Sequence, residues 1–209
     1  MSTKSEGMSV STSKEDSIRE GYVRVTQILS SYQDFSRIDP AVLERKAKIG
    51  TEVHEAIEAH YRNDFFPVSE PALDYIHAFN SAVHGAFEVF SPVLDFSNIV
   101  VGKVMLMEKR YYSDMMKITG KIDMIGLNRE TGKSYLIDYK TTYSANYRMW
   151  EMQMALYMLL IQENEEIKLD GAKILHLKKS GAYKIVDLDI TPKIFGMAKA
   201  AVDIYHHFH

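Results

Sequence analysis

Two carboxylates and a lysine stand at the ends of apolar runs in the stretch GKIDMIGLNRETGKSYLIDYKTT, residues 120–142. Asp138 and Lys140 are two apart, and in a β-strand residues i and i+2 project to the same side. Asp123 belongs to the preceding run, where hairpin pairing would set it beside Asp138. Two carboxylates that close repel, so keeping both ionised calls for a cation. Hard oxygen ligands suit Mg²⁺ or Mn²⁺, which bind through one or two carboxylates plus substrate phosphate. Lys140 would then orient or deprotonate the attacking water, or offset charge in the transition state of phosphodiester hydrolysis. A lone D-x-K is ordinarily a surface salt bridge in a half-buried hairpin. The apolar YLI before this one, and Asp123 on the neighbouring run, bring the metal level with the salt bridge.

Other segments add groups of the same kind. In GTEVHEAIEAH, His54 and Glu58 share a helical face at i, i+4, where a histidine can reach a metal or the scissile phosphate. The HExxH zinc pattern is absent, because position 58 is glutamate. In WEMQMALYMLL, Gln153 and Tyr157 lie one turn apart on an otherwise apolar helix. They can satisfy each other, hold a nucleotide or order Lys140. Glu108 closes VMLME as a third carboxylate.

The elements that must position these groups follow from pattern. Residues 1–20, rich in Ser, Lys and Glu, read as a disordered tail, and residues 21–209 as one domain. VRVTQILSSY gives a short helix through Val25, Ile28 and Leu29. Asp39 and Pro40 supply an N-cap and an N1 proline to a long helix, with an interruption expected near Gly50-Thr51. Leu73, Ile76, Phe79, Val83 and Phe87 form the apolar stripe of a third helix. The residues of NIVVGKVMLMEKRYY, GKIDMIGLN and SYLIDYKTT then read as three strands, the last two joined by NRETGK. A helix from about Tyr147, the strand pair AKILHLKK and YKIVDLDI, and a helix capped by Thr191-Pro192 complete the chain. The terminal HHFH reads as a frayed helix end. Helices packed on the faces of a central sheet make the class α/β.

Composition narrows the function. The 209 residues are 46% hydrophobic and 25% charged, enough for one well-buried domain. There are no cysteines, which excludes disulfides, zinc–thiolate sites and an iron–sulfur cluster held by this chain. No apolar run is long enough to span a membrane, and the polar N-terminus lacks a signal-peptide core. A net charge of -3 argues against coating nucleic acid by bulk electrostatics. Residues 172–184, however, hold four lysines and no acid, which suits either a local DNA contact or a lysine-guarded sheet edge.

Taken in order, G-T-x-V-H at 50–54, Glu108, G-x-x-D at 120–123, D-Y-K-T-T at 138–142 and Q-x-x-x-Y at 153–157 resemble the RecB-type branch of the PD-(D/E)XK nuclease superfamily. The match in order and spacing spans about residues 22–160. VRVTQIL followed by the histidine helix is also similar to phage-type exonucleases and the mitochondrial genome maintenance exonuclease. The resemblance implies a restriction-endonuclease-like core, a mixed sheet flanked by helices with a helical N-terminal region. It implies Mg²⁺ or Mn²⁺ on Asp123, Asp138 and the backbone carbonyl of Tyr139, joined by His54 and Glu108. Lys140 falls on the catalytic lysine, His54 on the motif histidine, and Gln153 with Tyr157 on the accessory motif. Thr141, Thr142 and Glu58 flank these positions as accessory residues. Ile122 stands where the superfamily has proline.

The implied activity is a metal-dependent DNA exonuclease in phage or bacterial recombination, repair or replication. A structure- or sequence-specific endonuclease and a non-catalytic binding module are the alternatives. Its expected partners are DNA, as single strands or strand ends, and a recombination or replication protein, with no membrane. The expected location is the cytoplasm, or the host cytoplasm for a phage protein. Lys103, Lys109, Arg110, Lys178 and Lys179 are candidates for phosphate contacts, and Trp150, Tyr147 or Tyr143 for stacking on a base.

Overall fold

The structure, a computed structural model, describes residues 18–84, 90–92, 107–128 and 130–209. Most of the N-terminal tail, Phe87, Lys103 and the first part of the expected strand 98–112 lie outside the described residues. A seven-stranded mixed sheet is built around one long strand, β4 (Ile118–Asn128). β4 pairs in parallel with β1 (Val23–Arg24) and antiparallel with β2 (Phe90–Pro92) and β3 (Met107–Ser113). It also pairs antiparallel with β5 (Ser134–Lys140), as the hairpin reading requires. Gly132, at φ +67°, takes the left-handed position of the connecting turn, and Asn128 Oδ1 accepts from the N–H groups of Glu130 and Thr131. β6 (Gly171–Leu177) runs parallel to β5, and β7 (Tyr183–Leu188) returns antiparallel.

Helices cover both faces. One core gathers α1 (Val25–Ser30), α4 (Tyr147–Asn164) and α5 (Pro192–Phe208) over Ile118, Leu136 and Ile174. The other gathers α2 (Pro40–Arg62) and α3 (Glu70–Val83) over Met124, Ile137 and Leu175. Each fully buried Leu, Ile or Met contributes roughly 1.5–3 kcal/mol. Among the described residues, no helix is long and apolar enough to cross a membrane.

Helix ends follow the sequence closely. Asp39 caps α2 by accepting from the Ala41 N–H, and Thr191 caps α5 by accepting from Ile194. The interruption expected at Gly50-Thr51 does not occur. A glycine inside a helix costs about 1 kcal/mol against alanine, but here it lets α2 pass over the end of β5. A Cβ on Gly50 would sit 3.4 Å from Thr141 Oγ1. The face of α3 holds at Ile76, Phe79 and Val83 and departs from expectation at Leu73. Leu73 of the expected stripe is 40% exposed, while Ala72, Tyr75, Ala78, Phe79 and Ala82 are buried. Alanines at this spacing allow closer approach to the sheet than a row of large side chains would.

Gly120 matters for a different reason. A Cβ there would meet Tyr157 Cε1 at 2.6 Å and Leu160 Cδ1 at 3.0 Å, so β4 and α4 touch at this residue. Gly120→Ala should cost about 1–3 kcal/mol by overpacking. Thermal denaturation should show a Tm lower by roughly 3–10 °C. An unchanged Tm would mean that α4 has room to move off the sheet.

Candidate active site

The C-terminal end of β5 carries Asp138 and Lys140, and its next-door strand β4 carries Asp123. Residues 124–127 of β4 pair with 134–137 of β5, and one further step of that register sets Asp123 across from Asp138. On the other edge of β4, Met107 and Lys109 pair with Met124 and Ile122, so Glu108 also stands opposite Asp123. Glu108 has a φ of +50°, a left-handed backbone rarely taken by a residue with a side chain. That conformation costs on the order of 1 kcal/mol and is held only where surroundings impose it. α2, passing over β5 at Gly50, delivers His54 one turn later.

Two groups of contacts result. In the first, His54 Nδ1 lies 3.3 Å from Asp123 Oδ1 and 3.9 Å from Glu108 Oε1. His54 Nε2 is 3.1 Å from the Tyr139 carbonyl, so its N–H donates there. Asp123 Oδ2 accepts from the Tyr139 N–H at 2.8 Å. In the second, Lys140 Nζ lies 2.7 Å from Asp138 Oδ2 and donates to Gln153 Oε1 at 3.0 Å. The Gln153 amide in turn donates to Asp138 Oδ1 at 2.8 Å. Gln153 thus fixes the acid and the lysine together, which is the ordering role its place on α4 suggested. Tyr157, one turn on, is buried against Gly120.

Three of the expected ligands come together. Among the described residues, the cluster with ligand atoms within 4.8 Å of one another is His54, Glu108 and Asp123. Asp138 Oδ1 accepts from Gln153 and its Oδ2 faces Lys140 at 2.7 Å without a hydrogen bond, while the Tyr139 carbonyl accepts from His54. Lys121 was not anticipated. Its Nζ lies 2.6 Å from Glu108 Oε2 and 4.0 Å from Glu58 Oε2, and Glu58 also pairs with Arg62 at 2.5 Å. The i, i+2 rule that joined Asp138 to Lys140 also puts Lys121 beside Asp123, and this was the signal available in GKID.

Charge and burial set the protonation states. Burial opposes the His54 imidazolium, but Asp123 and then Glu108 outweigh it and raise its pKa to about 9. Burial would raise Asp123; the imidazolium wins and holds it below its ordinary range. Burial, with Asp123 opposite, pushes Glu108 up to about 7 despite Lys121. Burial likewise pushes Asp138 up to about 6 against the pull of Lys140.

These residues fit a hard divalent cation. Glu108 Oε1 is buried and accepts no hydrogen bond, although Lys121 satisfies its other oxygen. A buried carboxylate oxygen without a donor is costly unless a positive centre faces it. The carboxylate oxygens suit Mg²⁺ or Mn²⁺, the imidazole nitrogen suits a transition ion such as Mn²⁺ better than Mg²⁺, and no thiolate selects a thiophilic ion.

The other candidate contact residues divide between packed and exposed positions. Lys109 pairs with Glu165 at 2.6 Å beside the Tyr111 phenol, which binds the same carboxylate. Trp150 is buried edge-on against His176 and is not free to stack on a base. His176, itself buried, binds the Thr142 carbonyl through Nε2 at 2.7 Å and so anchors the segment after Lys140. Lys178 Nζ lies 3.1 Å from His176 Nδ1. Arg110 has a buried Nε that makes no hydrogen bond. Lys179 and Tyr143 face solvent, and Tyr147 packs edge-on against Trp150.

No curated protein matches this chain closely enough to count as a relative. A family match over residues 67–198 runs from α3 into α5 and includes Glu108, Asp123, Asp138, Lys140 and Gln153. His54 lies before that match, so it joins the centre through geometry alone. With the match spanning well over half its length, the chain belongs to the PD-(D/E)XK nuclease superfamily, a family of metal-dependent nucleases.

Proposed function

We propose that the chain is a Mg²⁺- or Mn²⁺-dependent DNA exonuclease of the RecB-like type, acting in the cytoplasm in recombination, repair or replication. The observation that carries the reading is the buried carboxylate centre with its unsatisfied Glu108 Oε1, set beside a lysine locked in place by Asp138 and Gln153. His54, Glu108 and Asp123, with Asp138 adjoining, would hold the ion, which supplies Lewis-acid stabilisation of charge on the phosphate. Lys140 has three N–H donors: one goes to Gln153, and a second faces Asp138 Oδ2 in an ion pair without a hydrogen bond. The third is available to the cleft that Lys140 lines, where it can hold the attacking water or a phosphate oxygen.

The cleft supports an end-directed enzyme. It encloses about 980 Å³ between α1, residues 31–39 and α2 on one side and the start of α4 on the other. Tyr32, Phe35 and Ile38 stand at its wall, partly exposed, with Lys140 and Gln153 also lining it. Walls of helix on both sides suit a single strand or a frayed end better than an intact duplex. The test is degradation of end-labelled linear and closed-circular single-stranded DNA with Mg²⁺, Mn²⁺ or EDTA. Metal-dependent loss of the linear strand alone is expected. Cutting of the circle would establish an endonuclease, and inertness of both substrates would defeat the nuclease reading.

A further inference from the structure

A second charged site lies away from the metal centre. Arg45 and Lys46 on α2 and Lys179 in the turn after β6 line one pocket of about 220 Å³. Its remaining walls are Ile49, Pro71 and Tyr75, with no acid among the lining residues. Among the described residues, none of these three cations forms an ion pair, although the chain as a whole carries net charge -3. Three like charges converging on an apolar floor repel one another, and an anion removes that cost. The pocket is too open and too cationic to be a core void.

We infer that this pocket binds a backbone phosphate of the substrate strand, some nucleotides away from the bond being cut. The inference rests on the nucleic-acid reading of the metal centre. Its spacing agrees with that reading: Lys46 and His54 are eight residues apart on α2, about 12 Å along the axis. A stacked strand rising about 3.4 Å per nucleotide covers that distance in three to four nucleotides. Lys179 enters from the sheet side and closes the pocket around the phosphate. Arginine beside two lysines gives a forked donor pair together with two mobile charges. A contact of this kind carries no sequence preference and sets the register of the strand on the enzyme.

The experiment separates this site from the centre by substrate length. A nucleoside aryl phosphodiester reads the metal centre alone, whereas a single strand of about ten nucleotides reaches both sites. The ratio of kcat/KM on the strand to kcat/KM on the ester should fall at least about tenfold in Arg45→Ala/Lys46→Ala/Lys179→Ala. Lys179→Glu alone should move the ratio the same way. Strand binding measured by fluorescence anisotropy in EDTA, across a salt series, gives a readout free of catalysis. The slope of log affinity against log salt should become shallower by about 0.7 in the triple variant, the value for one phosphate on a single strand. An unchanged ratio together with an unchanged slope would overturn the site. Wild type inert on both substrates, yet binding strands with a slope the triple variant reduces, would leave this site standing and sink the nuclease reading instead.

Discussion

Lys140→Met should reduce single-turnover cleavage of DNA by about 10²–10⁴-fold at neutral pH, with the fold retained. On the proposed reading Lys140 is the group whose charge would reach the reacting phosphate, and nothing near it can take over. Gln153 is an amide, and Lys121 is committed to Glu108 at 2.6 Å. The loss has a second component. Asp138 is buried and depends on Lys140 Nζ, 2.7 Å away, for its ionised form. With its pKa already pushed up by burial to about 6, losing the lysine would carry it further and protonate it at neutral pH.

That coupling gives the variant a signature in stability. Removing one partner of a buried pair costs about 3–5 kcal/mol when the other stays charged. At about pH 5 Asp138 is protonated in both proteins, so the Tm difference should shrink there and widen towards pH 8. Gln153→Ala should lose activity less steeply, because it releases the lysine without discharging Asp138. Full activity in Lys140→Met would remove the lysine from the reaction and leave the buried pair as a folding device.

Features with local causes were legible in the sequence. The caps at Asp39 and Thr191, the turn at Gly132 and the join of Asp138 to Lys140 depend on neighbours within a few residues. Gln153 meets Lys140 and Asp138 across the packing of α4 on β5, while its relation to Tyr157 is one turn of helix. What escaped depends on register and helix rotation, which short windows do not carry. Lys121 finds Glu108 because β3 pairs with β4 at that register. Lys109 finds Glu165 through the packing of α4, and Trp150 is taken by His176 from β6. On α3 the stripe of Ile76, Phe79 and Val83 does pack on the core, while Leu73 turns out because Ala72, Ala78 and Ala82 carry the face nearest the sheet. Of the expected metal set, His54, Glu108 and Asp123 gather through the strand register and the left-handed backbone at Glu108, with Asp138 across from Asp123 on β5. Positive φ at a glutamate has no signature in composition.

Mn²⁺ affinity should rise about tenfold per pH unit between about pH 7 and 9 and then level. The His54 Nε2–H is committed to the Tyr139 carbonyl, so Nδ1 is the ring atom facing Asp123 and Glu108. Without a metal, a proton occupies Nδ1 up to about pH 9, and the imidazolium serves as the cation among the carboxylates. An ion can take Nδ1 only as that proton leaves. Below about pH 7 Glu108 must release a proton as well, so the dependence should steepen. Stability without metal must then run the other way. The folded pKa of His54 exceeds its ordinary 6.5, so its contribution is complete below that value and lost as pH rises through about 9. Glu108 and Asp138 have the same sign at lower pH, fading as pH climbs through about 7 and about 6. Asp123, held low, has the opposite sign and matters only in strong acid. Tm in EDTA should therefore fall from about pH 5 to 9, while the stabilisation gained from Mn²⁺ grows across the upper half of that range. In His54→Gln the amide keeps a donor for Tyr139 but carries no titrating proton. Calorimetry on that variant should show weaker Mn²⁺ binding whose remaining pH dependence follows Glu108, which titrates higher once the imidazolium that lowers it is gone. Wild-type affinity that stayed flat between pH 7 and 9 would mean that His54 stands outside the metal's coordination and acts only as a counter-charge to Asp123.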